Sequence, residues 1–242
     1  VEVNASYYAL LPPQNYARWV DRTPDDFTFN VKAFGQLTGH IRNRTATSEL
    51  FSAFRGSFES LRSSGKLGAV LFQFPPWFDN TSANRSYVRF CVDQMNGDPL
   101  LIEFRNRSWL AEEAREPTIA MVGGLGASLV TVDAPQVGSG TAPLVPSVTN
   151  PALGYLRLHG RNTETWYSRV ENTGQRFSYK YSLEELEHLA NVARELSKEA
   201  EIVHVIFNNN MANYGTDNAR TIMRILGLQV PDEPPRQSRM DI

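Results

Sequence analysis

Cysteine is nearly absent: Cys91 stands alone among 242 residues. One thiol excludes an intrachain disulfide framework and any cysteine-based zinc site within one chain. Its place on the apolar face of a helical pattern marks it as core. Histidine is scarce too, with four in the chain, which is thin material for a centre of several metal ions. Neither sign of charge is in excess. The chain carries 24 Lys+Arg against 26 Asp+Glu, a net charge of −2, which argues against broad binding to nucleic acid or anionic membrane but leaves room for a local basic pocket. No apolar run approaches the roughly 18 residues that span a bilayer, and no signal-peptide pattern is read at the start. The expectation is a cytoplasmic protein without a membrane partner. Also missing are a phosphate-cradling glycine loop, a dinucleotide fingerprint, a His-Glu-x-x-His pair and a Gly-x-Ser-x-Gly elbow.

What is present is a regular alternation. Hydrophobic residues make up 41% of the chain and charged residues 21%, so a sizeable core can form and global disorder is excluded. Strand-length apolar runs occupy residues 1–5, 27–33, 69–74, 100–105, 128–133, 154–159 and 202–208. Helical patterns lie between them. Leu50, Phe51, Phe54, Phe58 and Leu61 share one helix face, ended by Gly65. Tyr87, Phe90, Cys91 and Met95 share the next. Residues 117–126 predict a weaker helix with three glycines. Ser182 and Glu185 predict a capping box, and Asp217 predicts the cap of a last helix. Residues 134–152 and 160–181 are long and irregular, the second rich in aromatics that make it either a lid or ordinary packing. The alternation predicts a parallel sheet.

Side chains alternate across a strand. Val3, Val31, Phe72, Ile102, Val130, Leu156 and Val205 lie on one face of their runs, and that face is apolar throughout. The opposite face turns polar toward each strand's C-terminal end. A doubly wound sheet gives no reason for this, whereas a (β/α) barrel does, because its interior opens into a pocket at that rim. The fold predicted is therefore α/β, a TIM-like (β/α) barrel with seven strands visible, over residues 1–230 as one domain. Residues 231–242 are expected to be an extended or disordered tail. The predicted pocket holds Asn4, Lys32, Gln73, Glu103, Arg105, Asp133, Arg157, His159 and Asn208. A self-satisfied ionic core is the competing explanation, disfavoured because buried ion pairs stabilise weakly against apolar packing.

Several segments carry a resemblance. They are Val1-Glu2-Val3-Asn4-Ala5-Ser6-Tyr7-Tyr8, Phe29-Asn30-Val31-Lys32-Ala33-Phe34, Thr38-Gly39-His40, and Leu67-Gly68-Ala69-Val70-Leu71-Phe72-Gln73-Phe74-Pro75-Pro76. Further on come Ile102-Glu103-Phe104-Arg105-Asn106-Arg107-Ser108-Trp109, Tyr155-Leu156-Arg157-Leu158-His159-Gly160-Arg161, Tyr179-Lys180-Tyr181-Ser182 and Val205-Ile206-Phe207-Asn208-Asn209. Together, in this order, they resemble the YecE-like family, also called domain of unknown function 72. The resemblance implies a TIM-barrel-like fold and supplies no established reaction. It also implies a strand and helix ahead of Val1 that this chain does not carry, and a Thr-His pair that Gly39 interrupts here.

The residue types suggest chemistry. Lys32, Arg105 and Arg157 fit an anionic group, with arginine offering a bidentate fork. Asn4, Gln73 and Asn208 would complete the substrate contacts. Glu103 or Asp133 would act as base and His159, which ordinarily titrates near neutral pH, as acid. The first reading is thus an enzyme acting on a small anionic, phosphate- or sugar-like substrate. The alternative is a metal-dependent phosphodiester hydrolase, with His40, Glu103, Asp133 and His159 as divalent-metal ligands. That alternative gains nothing from the net charge for nucleic-acid binding, and no cofactor is implied by motif. A non-catalytic binding or regulatory barrel is the third reading. Arg107 is either a second phosphate contact or a surface charge. Gly160 is read as permitting close backbone approach to a ligand. Trp109 is assigned to packing, His188 to the surface and His204 to the barrel's stable N-terminal end.

Overall fold

The computed structural model describes residues 1–41, 45–95, 97–164, 166, 177–209 and 211–232. Its strand segments are β1 (Glu2–Val3), β2 (Phe29–Lys32), β3 (Leu67–Phe74), β4 (Leu100–Phe104), β5 (Ser128–Leu129), β6 (Thr131–Asp133), β7 (Gly154–Leu158) and β8 (Val203–Phe207). The α-helices among the described residues are α1 (Pro13–Asp21), α2 (Ser48–Ser57), α3 (Glu59–Ser63), α4 (Ser82–Gln94), α5 (Glu112–Gly124), α6 (Leu183–Leu196) and α7 (Tyr214–Ile225).

All pairings are parallel, in the orders β1-β2-β3-β4-β5 and β6-β7-β8. β5 and β6 are consecutive pieces of one extended run, parted at Val130. The Val130 N–H still donates to Ile102 O at 2.9 Å. Beyond it the run exchanges β4 for β7 as its partner. The expected TIM-like barrel is met only as an α/β fold with parallel sheets: the sheets are not closed, because β1 and β8 do not pair. A cavity of about 410 Å³ separates them, lined by Glu2, Asn4, Ile206 and Asn208 among others.

The sheet nonetheless curls. Five strand spacings of roughly 4.8 Å would hold β1 and β7 about 24 Å apart in a flat sheet. Yet Arg157 Nη2 on β7 lies 2.6 Å from Glu2 Oε1 on β1. The curl separates an outer face from an inner one. On the outer face Val31, Phe72, Ile102 and Phe104 pack with Phe51, Phe54, Leu61, Val88 and Cys91. Leu156 and Leu158 pack with Leu186, Leu189, Leu196 and Ile222 in a second outer cluster. Trp109 is buried in the first, stacked on Phe104 at 3.9 Å, with its indole N–H donating to Phe78 O at 2.7 Å. The inner cluster holds Ala69, Leu71, Leu101, Val130, Val132 and Tyr155.

One strand departs from the expected parity. In the run 128–133 it is Val130 and Val132 that join the inner cluster. Thr131 and Asp133 point outward instead. The reason is what covers them. After β6 the described chain forms no helix until α6, and irregular segments lie over this face. Thr131 Oγ1 reaches Val145 O, and Asp133 accepts from Arg161 and Tyr181. A loop offers polar partners that an apolar helix face does not, so the polar residues can face out.

Helix boundaries follow local chemistry. Thr47 and Thr81 cap α2 and α4 through their hydroxyl oxygens, and Ser182 with Glu185 forms the full capping box on α6. Two expectations move. α5 begins at Glu112, ahead of Pro117, with Glu112 and Glu113 in a first turn that favours negative charge. Asp217 lies inside the first turn of α7, and the cap position falls to Asn213 in a left-handed backbone (φ 65°), a conformation asparagine tolerates. The expected tail lies outside the described residues from 233 onward.

Candidate functional site

A polar column runs up the inner face. Arg157, the penultimate residue of β7, is fully buried. Its Nε and Nη2 donate to the two carboxylate oxygens of Glu2, at 3.0 and 2.6 Å. Its Nη1 donates to Glu103 Oε2 and Gln73 Oε1, both at 2.8 Å. Below this, Tyr155 donates to Glu2 Oε2 at 3.1 Å, and Asn30 joins Tyr155 to His204. Buried charge demands this degree of pairing. Arg157, read from the sequence as a substrate clamp, is here a hub spanning the curled sheet, with its guanidinium bonded to Glu2, Glu103 and Gln73. Gln73 likewise serves the hub.

Glu103, at the β4 end and fully buried, divides its oxygens between Arg157 and His159. Burial pushes its carboxyl up, but Arg157, His159 and Arg105 outweigh that and hold it well below its ordinary value. A carboxylate so stabilised is a poor base. His159 is buried as well. Asn208 Nδ2 meets its Nδ1 at 3.1 Å and Glu103 Oε1 meets its Nε2 at 3.0 Å. Burial first, then the Arg105 charge, push the imidazole down to about 3. That environment favours the neutral imidazole at physiological pH. Glu103 and His159 hold one another in place.

The mouth of the column is less saturated. Lys32, the last residue of β2, is half-buried with its ammonium 4.6 Å from the centroid of the Tyr7 ring. Arg105 Nη1 lies 3.6 Å from Glu103 Oε1, and its guanidinium rests over Trp166 at 5.0 Å. His40 is joined to Thr38 Oγ1 at 2.8 Å and set edge-on to Tyr7 and Trp77. Burial, followed by the charges of Lys32 and Arg105, pushes His40 down to about 4. Asn4 and Asn208 line the adjoining cavity between β1 and β8.

Asp133 belongs elsewhere. It accepts two hydrogen bonds from Arg161 Nε and one from Nη2, and one from the Tyr181 hydroxyl at 2.6 Å. Arg161 also pairs with Glu185, the capping-box residue of α6. Asp133 thus ties the loop after β7 to a helix, outside the column. The alternative ligand set His40, Glu103, Asp133 and His159 is not brought together, and no group of three or more His, Cys, Asp or Glu among the described residues is placed to hold a metal ion. Arg107 donates to Gln136 Oε1 at 2.9 Å. Asn209 bonds Tyr179 O and Asn218, a structural use. Asn210 and Tyr167 lie outside the described residues. No helix among the described residues is long and apolar enough to cross a membrane.

Glu2 is the site residue that sequence reasoning missed. It shares the inner face with Asn4, and a face with three cations and one inner carboxylate called for another anion. Gly160 also has a different reason from the one expected. Its φ is +81°, and a Cβ there would stand 2.6 Å from Tyr179 Cβ. Its N–H donates to the Tyr181 hydroxyl at 2.9 Å. The close approach is to the aromatic loop. Gly160→Ala should therefore lose about 1–3 kcal/mol of stability. An unchanged urea midpoint would refute the packing role.

Comparison with known proteins places the chain among relatives. The family model described as "Protein of unknown function DUF72" matches residues 1–239. UPF0759 protein YunF of Bacillus subtilis (strain 168) is 37% identical over 243 aligned positions, covering 98% of this chain and 86% of that protein. A crystal structure of a DUF72 family protein from Enterococcus faecalis V583 superposes with a TM-score of 0.89 at 33% identity, over 98% of this chain and 88% of that one. A DUF72 family protein from Thermotoga maritima MSB8 gives 0.82 at 31% identity, over 94% and 84%.

Proposed function

The chain belongs to the DUF72 family, whose members have no established activity, and from the site itself we propose that it binds a small anionic substrate at the carboxyl ends of its strands, against Lys32 and Arg105. The observation that carries this reading is the isolation of Lys32. Among the described residues its ammonium has no hydrogen bond and no ion pair, and its one close partner is the Tyr7 ring. The nearby carboxylates, Glu2 and Glu103, are committed to Arg157. A half-buried cation with no ion-pair partner of its own is stabilised when a ligand supplies the counter-charge. Strand carboxyl ends are where open parallel α/β sheets receive ligands. The acid–base work expected of Glu103 and His159 passes to Lys32, the group at this mouth that titrates nearest neutral pH.

Titration calorimetry with inorganic phosphate tests the reading. The protein should bind phosphate saturably, and Lys32→Met should weaken binding roughly 10- to 100-fold, the worth of one charge-assisted hydrogen bond. Equal affinity in the two proteins, or no saturable heat in either, refutes it.

A further inference from the structure

The chain has four lysines, and three are accounted for. Lys66 donates to Val20 O, Thr23 O and Thr23 Oγ1. Lys198 pairs with Glu195 in solvent, and Lys180 is exposed. Lys32 differs in three respects. It ends a strand of the parallel sheet, it is half-buried against an aromatic ring, and no acceptor holds its ammonium among the described residues. The surrounding charges are not on balance anionic. Arg157 and Arg105 face it as cations, Glu103 and Glu2 as carboxylates already paired, and His40 is neutral. Loss of hydration beside other cations is the arrangement that frees a lysine amine near neutral pH.

We infer that Lys32 is an amine nucleophile that condenses with the carbonyl carbon of a small anionic aldehyde or ketone, such as a 2-oxo acid. The inference rests on the anion-binding reading above and adds to it the reaction class. The Nζ lone pair attacks the carbonyl carbon, forming a C–N bond while the C=O π electrons move to oxygen. That oxygen takes up the proton released from nitrogen. The C–O bond then breaks, oxygen departs as water with a second nitrogen proton, and a C=N bond remains. Amine and carbonyl give imine and water, with no oxidant or reductant. Arg105 lies at the same mouth and serves the substrate's anionic group. Burial, followed by the charge of Arg157, pushes Lys32 down to about 8. About a tenth of the amine is then free at pH 7, against less than about a thousandth at an ordinary lysine.

Trapping with sodium cyanoborohydride tests this. The protein is incubated with pyruvate, or separately with the neutral carbonyl dihydroxyacetone, reduced, and mapped by peptide mass spectrometry. The expected result is one dominant adduct at Lys32 with pyruvate, more than tenfold above Lys180 and Lys198, and suppressed by inorganic phosphate. Its rate should rise with pH to a midpoint near 8. Lys32→Arg, which keeps the charge but cannot condense, should bind phosphate and give no adduct at this position. Adducts spread evenly over Lys180 and Lys198, or none at Lys32 with either carbonyl, overturn the inference even if phosphate binds. A Lys32 adduct formed equally from dihydroxyacetone and insensitive to phosphate supports the nucleophile while refuting the anion site.

Discussion

Arg157→Met should cost the fold about 3–5 kcal/mol in urea unfolding, the usual loss when one partner of a buried ion pair is removed. The mechanism is specific. Among the described residues Arg157 is the one group donating to both Glu2 oxygens and to Glu103 Oε2. Its removal leaves Glu2, among the described residues, with only the Tyr155 hydroxyl, and Glu103 with His159 and the more distant Arg105. Two carboxylates would stay buried with much of their compensation gone, or take up protons. The remedy follows from the same account. Adding Glu2→Gln and Glu103→Gln to Arg157→Met removes the stranded charges, and the triple variant should recover more than half of the loss. A triple variant less stable than the single one would mean that the column's shape, not its charge balance, holds the curl. Because Glu2 is on β1 and Arg157 on β7, the single variant should also loosen β1, read as faster amide exchange at Val3 than at Val70.

Much of this architecture was legible in the residues, and the failures share a cause. Alternation along a strand is a local property, so the inner and outer faces could be read for the strands carrying Val31, Phe72, Ile102, Leu156 and Val205. The capping box at Ser182 was legible for the same reason, since its two hydrogen bonds close within four residues. What alternation does not say is what covers each face. For Thr131 and Asp133 a loop replaces a helix, and the assignment of faces inverted. Pairing across the sheet was equally hidden. Glu2 and Arg157 are 155 residues apart, and no spacing rule links them. The same blindness hid Arg157's role as a hub. Lys32, by contrast, could be placed near a strand's C-terminal end from alternation alone, and it is the last residue of β2. Closure was beyond local pattern too, for β1 and β8 must approach within hydrogen-bonding distance to close a barrel and here a cavity parts them.

Acid should unfold the protein steeply, well before its carboxylates protonate. His159 and His40 are held down to about 3 and about 4, against an ordinary value of 6.5. In both cases burial is the leading cause, so the folded state keeps them neutral while the unfolded chain protonates them. Between about pH 6.5 and 4 the unfolded chain therefore binds more protons, and stability falls as pH falls. The contribution is fully present above about 6.5 and is lost progressively toward the folded values. Two such groups correspond to a slope approaching 2.7 kcal/mol per pH unit near pH 5, and about half that if solvent screens the half-buried His40. Glu2 and Glu103, both held below their ordinary 4.5, extend the loss to lower pH with the same sign. Urea unfolding at intervals from pH 7.5 to 4.5 measures the slope directly. His159→Gln keeps a donor and an acceptor but cannot titrate, and should flatten the slope by about 1.4 kcal/mol per pH unit. A slope unchanged by that substitution would mean that His159 is protonated in the folded state. Its bond to Glu103 would then be an ion pair, and His159 would again be an acid available to a substrate at the mouth beside Lys32.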